Sequence, residues 1–271
     1  MSPVLKNRKK QKHYVKNYFD EYSSQYHQDH YVKKKPPSIY PVLTVRLNYM
    51  AAMLADFTPG GKVIDIGCGT GEMLEVLRAH QLQAFGLDFS FKMLEAIANS
   101  SLEYSFPLIN GEIEALPFHE ESFDGVICAG VIEYLNEDQK ALKEIARILK
   151  PGGFAIITLS NRLSPARILE PVVHSLLGQK IKRWIKKVLF KKQTMLYPPF
   201  RTHIPGRFDK KAQDAGLKLV EHNFFHFSPV PWPLNRLVPR FYVRTGLKME
   251  KLSRSKLGFL GRGYIGKYQK L

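Results

Sequence analysis

Three glycines on alternate residues follow an aspartate near the end of an apolar run: Val63-Ile64-Asp65-Ile66-Gly67-Cys68-Gly69-Thr70-Gly71. Glu72 to His80 comes next, with Met73, Leu74 and Leu77 at helical spacing. Glycine lets the backbone turn sharply and lets a ligand approach the main chain closely. A helix start presents N–H groups that have no intrahelical acceptor. Strand, glycine turn and helix in this order form the nucleotide-binding corner of an open α/β sheet. The residues around the turn narrow the ligand. A dinucleotide site calls for Gly-x-Gly-x-x-Gly, whereas here the glycines alternate, and a carboxylate at Asp65 repels a pyrophosphate but suits an ammonium group. About twenty residues on, a second apolar run ends in Asp88, where a carboxylate can accept both hydroxyls of a ribose. Taken singly, Asp65 also reads as a strand-end cap, Phe89 and Met93 as core, and Cys68 as a small inert residue of the turn.

These residues need a scaffold that brings strand ends together. Strand patterns occur at Lys62–Ile66, Gln83–Leu87, Tyr104–Ile109, Phe123–Ala129 and Phe154–Leu159. Helical patterns separate them at Glu72–His80, Phe91–Asn99 and Glu137–Leu149, and Pro151-Gly152-Gly153 stops the last. This alternation predicts a parallel sheet covered by helices. Ahead of it lie a basic arm over residues 1–12, an aromatic-rich helix from Tyr14 to Tyr31 and a second helix over Tyr40–Phe57. Behind it, a Lys- and Arg-rich insertion interrupts the alternation. A helix at Asp209–Ala215, a long strand at Lys218–Phe227, a Pro-rich aromatic segment at 229–233 and a last strand at Tyr264–Gln269 follow.

The combination resembles the class I S-adenosylmethionine-dependent methyltransferases, and within them the group of ubiquinone and menaquinone biosynthesis methyltransferases. Beyond the glycine turn, the resemblance rests on Gly86-Leu87-Asp88-Phe89-Ser90 with Met93-Leu94, on Gly111 to Phe118, on Ser122 to Ile127 and on Leu142 to Gly153. It covers about residues 59–160. It implies an α/β fold with a Rossmann-like, seven-stranded, mostly parallel sheet, an N-terminal helical lid (1–58), a cofactor-binding core (59–160), a basic helical insertion after the fifth strand (161–205) and a C-terminal part of the same sheet (206–271). It also implies S-adenosylmethionine as cofactor. Gly67, Gly69 and Gly71 would lie against its methionine and ribose parts, Asp65 would help hold the amino group and Asp88 the ribose diol. Phe89 would pack on the adenine face, Glu112 would accept from the adenine amino group and the Ile113 N–H would meet a ring nitrogen. Many relatives carry Asp in place of Glu112.

The donor's methyl group is already activated, so the protein's task is to position the acceptor in line; a protic acceptor gains further from a general base. The N-terminal helix offers Tyr22, Tyr26, His27 and His30, and the resemblance implies that Tyr26 closes over the cofactor. After the fourth strand, Glu133-Tyr134 stands where many relatives have Glu-His, which puts a base at that point in doubt. Arg201 and His203 end the insertion, and His203 is the first choice for a base.

Composition bears on partners. The 271 residues carry 41 Lys and Arg against 24 Asp and Glu, a net charge of +17. Such an excess points to an anionic partner. No apolar run approaches a membrane span, no apolar stretch follows the basic start as in a secretory signal, and two cysteines make neither a disulfide framework nor a zinc site. A cytoplasmic protein is expected. In Gln179–Lys192, Ile181, Trp184, Ile185, Val188 and Leu189 share one helical face, and lysines and Arg183 take the rest. That pattern fits a helix in an anionic membrane interface, a surface helix packed on the core, or a nucleic-acid contact. The expected acceptor is therefore a small molecule or lipid-like compound. RNA modification and a non-catalytic cofactor-binding protein are the alternatives.

Overall fold

The computed structural model describes residues 8–29, 40–99, 106–176, 198, 200–231, 235 and 237–271. The elements run α1 (Arg8–His27), α2 (Val42–Ala52), β1 (Lys62–Ile66), α3 (Glu72–Ala79), β2 (Gln83–Asp88), α4 (Phe91–Ala98), β3 (Leu108–Asn110), β4 (Phe123–Cys128) and α5 (Asp138–Ile148). They continue with β5 (Leu149–Ser160), α6 (Pro165–Leu176), α7 (Pro205–Asp214), β6 (Leu217–Phe227), α8 (Pro239–Met249) and β7 (Gly261–Lys270). The strands form one seven-stranded sheet in the order β3-β2-β1-β4-β5-β7-β6. Every pairing is parallel except those of β7, which runs antiparallel to β5 and to β6. The strand order reverses between β1 and β4, and a crevice opens at the C-terminal ends of strands on either side of such a switch.

Alternation along the strands sorts side chains to two faces. Ile64, Ile66, Val126, Cys128, Ala155, Ile157, Tyr264 and Tyr268 pack with α5 and α7 on one face. Val63, Ile127, Ile156 and Ile265 pack with α2, α3 and α4 on the other. Asp65 shares the parity of Val63, so the sheet turns it toward α2. Lys267 shares the parity of Ile265 and is buried, with Nζ donating to the Met53 carbonyl at 2.8 Å and lying 4.5 Å from the centre of the Phe154 ring.

Several boundaries differ from expectation for local reasons. The basic arm is shorter than residues 1–12, because α1 already begins at Arg8 and Lys12 is engaged in it. The second helix tightens into a 3-10 turn over Met53–Asp56. The seventh helix starts at Pro205, whose ring suits a first helical turn. The stop at Pro151-Gly152-Gly153 lies inside β5, where Gly152 takes φ +77° and Leu149 already pairs with Phe123. The amphipathic segment Gln179–Lys192 falls outside the described residues, as do Pro36-Pro37 and residues 232–234 of the Pro-rich aromatic stretch.

Candidate active site

The glycine turn is tied to the second strand. Gly67 and Cys68 both donate their N–H to the Leu87 carbonyl, at 2.7 and 3.1 Å. Gly67, Gly69 and Gly71 have φ of +77°, +53° and +89°, left-handed values that side chains resist. The Asp88 carboxylate ties the corner from the other side, accepting from the Gly69 N–H at 2.9 Å and the Ser90 N–H at 2.8 Å. Ser90 in turn caps α4, its Oγ accepting from the Met93 N–H at 3.2 Å. One cavity of about 420 Å³ opens here, within the size range of small-ligand sites.

Asp65 is buried, lines the cavity, and its Oδ1 has no hydrogen-bond partner. Burial, then the neighbouring Asp88 charge, pushes its carboxyl up to about 7, against the pull of Arg46. Burial likewise raises Asp88 to about 6, with the Ser90 and Gly69 N–H groups opposing. A buried carboxyl with an orphaned oxygen beside a half-buried one fits a ligand that brings a cation to the first and hydroxyl donors to the second. The Cys68 thiol is pushed well up by burial and by both carboxylates, which leaves it an inert wall.

Of the residues singled out in the sequence, Asp65, Gly67, Gly69, Asp88, Phe89, Glu112, Ile113 and Tyr26 all line this one cavity. Gly71 stands just behind it as the N-cap of α3. Helix α1 crosses the cavity as a strap. Lys12 Nζ donates to Glu112 Oε2 at 2.6 Å and pairs with Glu114. Asp20 accepts from the Ser90 hydroxyl at 2.6 Å, and Gln11 donates to the Tyr134 carbonyl at 3.1 Å. Phe19 meets the Tyr134 ring edge-on at 5.7 Å, and Tyr26 packs on Tyr22 at 5.8 Å. His27's side chain and His30 lie outside the described residues.

His203 is not among the residues that line the cavity, although its N–H donates to the carbonyl of Ser160, which does, at 2.8 Å. It is 6% exposed, its Nε2 lies 3.2 Å from Asp138 Oδ1 and its ring stands edge-on to Phe208. Arg46 and Phe200, not among the candidates above, also line the cavity. Arg46 had a signal, as the one charged residue of α2, Val-Leu-Thr-Val-Arg-Leu-Asn-Tyr-Met-Ala-Ala. A charge kept within such a run needs a polar destination.

Residues 64–157 match the family model described as a methyltransferase domain. That match runs from within β1 into β5 and holds the glycine turn, Asp88, Glu112 and Glu133. This domain is that of a class I S-adenosylmethionine-dependent methyltransferase. An uncharacterized protein of Methanocaldococcus jannaschii is 29% identical over 64% of this chain and 62% of its own length, so less than two thirds of that relative is matched. A ubiquinone biosynthesis O-methyltransferase of Coxiella burnetii is 27% identical over 73% of this chain and 79% of its own. The CcbJ methyltransferase of Streptomyces caelestis shares the fold at a TM-score of 0.61, with 15% identity over 93% of this chain and 97% of that one.

S-adenosylmethionine is the cofactor of this methyltransferase. A first prediction concerns its turn. A Cβ on Gly67 would stand 2.2 Å from Val131 Cγ2, at a φ that already disfavours it. Gly67→Ala is expected to weaken cofactor binding more than tenfold in calorimetry, because both strain and clash fall on the turn itself. Gly69→Ala, where a Cβ meets nothing within 4 Å, should have the smaller effect.

Proposed function

We propose that the enzyme transfers the methyl group of S-adenosylmethionine to an oxygen or carbon atom of a small amphipathic, lipid- or quinone-like acceptor. The observation that carries this reading is the mixed lining of the cavity. Asp65 and Asp88 share it with the apolar side chains of Phe19, Val42, Leu43, Leu47 and Phe200. In this reading Asp65 holds the amino group and Asp88 the ribose diol. Phe89 packs on the adenine, Glu112 and the Ile113 N–H meet its edge, and Tyr26 covers the cofactor from α1. Glu112 then shares its carboxylate with Lys12, so the strap and the cofactor bind cooperatively. The name of the Coxiella relative, an O-methyltransferase of ubiquinone biosynthesis, supports an apolar ring acceptor.

The same reading places the enzyme in the cytoplasm, docking transiently on an anionic membrane that carries the acceptor. Leu237 and Phe241 are 56% and 58% exposed beside the exposed Arg240 and Arg244, a mixture suited to an interface. Among the described residues no helix is long and apolar enough to cross a membrane. The test has two arms. Calorimetry with S-adenosylmethionine should show one site per chain, and no binding would end the reading. Co-sedimentation with vesicles should require anionic lipid, and binding indifferent to lipid charge would remove the membrane part alone.

A further inference from the structure

Glu133 lies in the 3-10 turn Ile132–Tyr134 that follows β4. Its side chain is buried and lines the cavity, and Oε2 has no hydrogen-bond partner. Folded proteins satisfy nearly all such atoms, and an exception marks a place where something else supplies the donor. The fold holds this carboxylate through a backbone hydrogen bond and through the nearby Arg46, His203 and Arg167, yet leaves Oε2 unbonded; the Glu133 carbonyl separately accepts from the Arg201 N–H at 2.7 Å. Arg46 of α2 stands beside it over Gly130, so close that a Cβ there would be 2.8 Å from Nη1. Gly130, at φ +75°, therefore leaves room for the guanidinium.

We propose that Glu133 is the general base of the acceptor site, taking the proton of a hydroxyl on an apolar ring. This rests on the methyl-transfer reading above and names its acceptor side. In the transfer, the acceptor O–H bond breaks and its proton passes to the Glu133 carboxylate. The oxygen forms its bond to the methyl carbon as the S–CH₃ bond breaks, and that electron pair stays on sulfur, giving a methyl ether and S-adenosylhomocysteine. A neutral hydroxyl fits better than an ammonium, since Arg46, Arg167 and His203 all bear on Glu133 with positive or protonatable groups. Burial holds the Glu133 carboxyl above the ordinary range against those cations, and Cys128 beneath it is buried and protonated. A base of raised affinity for protons is suited to work near neutral pH.

The experiment uses the full chain, catechol as the hydroxyl probe, and Glu133→Gln, which keeps the side chain's size. Calorimetry should give the same S-adenosylmethionine affinity for both proteins. Catechol binding to protein loaded with S-adenosylhomocysteine should weaken about tenfold in the variant. With S-adenosylmethionine saturating at every pH, methylation of catechol should fall about 100-fold, and the acid limb of the wild-type pH profile should disappear; Glu133→Asp should restore part of the rate with that limb. A variant with wild-type rate and the same acid limb overturns the proposal. So does a wild type that binds S-adenosylmethionine yet leaves catechol unmethylated, which spares the methyltransferase reading. A wild type that binds no S-adenosylmethionine overturns both.

Discussion

Asp88→Ala is expected to lower the affinity for S-adenosylmethionine by about 100-fold or more. Two ribose hydroxyls donating to one half-buried carboxylate are charge-assisted bonds worth about 1.5–3 kcal/mol each, and about 3 kcal/mol is already a factor of more than 100. The same carboxylate holds the Gly69 and Ser90 N–H groups, so its loss also slackens the turn. Asp88→Asn keeps one acceptor oxygen and should lose less. The affinity should also depend on pH, because in the proposed binding mode ionised Asp65 and Asp88 receive the cofactor, and their carboxyls are raised to about 7 and about 6. Binding should strengthen as pH rises from 5 to 8. The free protein should show the opposite trend. Its two carboxyls bind protons more tightly folded than unfolded, where Asp titrates near 3.9. Between about pH 4 and 7 the unfolded chain releases these protons first, and the stability of the cofactor-free protein declines across that window. The thermal shift produced by S-adenosylmethionine should therefore be larger at pH 8 than at pH 5.5. An equal shift at both values would show that neither carboxyl is perturbed.

The cofactor half of this cavity was legible because its chemistry is local in sequence. Asp65 and the glycines share one turn, and Asp88 and Glu112 sit at the ends of neighbouring strands, where period and spacing set their place. The rest of its lining, proposed as the acceptor side, comes from α1, α2, the turn after β4 and the segment at Phe200, and no short-range pattern links these. Lys12 looked like part of a loose basic arm; only the fold brings Glu112 and Glu114 to it. His203 stands out by residue type and by its nearness to the sixth strand, but α5 presents Asp138 to it and engages its Nε2, a pairing that no short-range pattern shows. Helices α6 and α8 were not foreseen. Pro171 breaks the pattern of the first, and basic residues crowd that of the second. What holds α8 is a close approach, Gly246 lying so near β6 that a Cβ would be 2.6 Å from the Phe227 carbonyl.

Asp138→Ala is expected to destabilise the protein by about 3 kcal/mol. The carboxylate is fully buried at the start of α5 and gathers Arg201 at 2.9 Å, His203 at 3.2 Å and Lys211 at 2.7 Å. Removing one side of a buried ionic cluster costs about 3–5 kcal/mol, since the partners lose their acceptor; the lower end applies because Arg201 and Lys211 remain partly exposed. At about 2–4 °C per kcal/mol for a chain of this size, the melting temperature should fall by roughly 6–12 °C. Burial alone would raise the Asp138 carboxyl, but the hydrogen bonds from His203, Lys211 and Arg201 outweigh it and hold it far below the usual range. Its contribution is thus complete above about pH 3.9, the unfolded value, and drains away as pH falls toward the folded one. The gap in melting temperature between wild type and variant should narrow between pH 7 and pH 3; a constant gap would mean that the charge of Asp138 is not what stabilises. The cluster also reaches the acceptor site. Its members fix the backbone that donates from Arg201 to the Glu133 carbonyl and from His203 to the Ser160 carbonyl at 2.8 Å. Ser160 and Glu133 both line the cavity. Asp138→Ala should therefore impair use of a hydroxyl acceptor while leaving cofactor affinity close to that of the wild type, the reverse of Asp88→Ala.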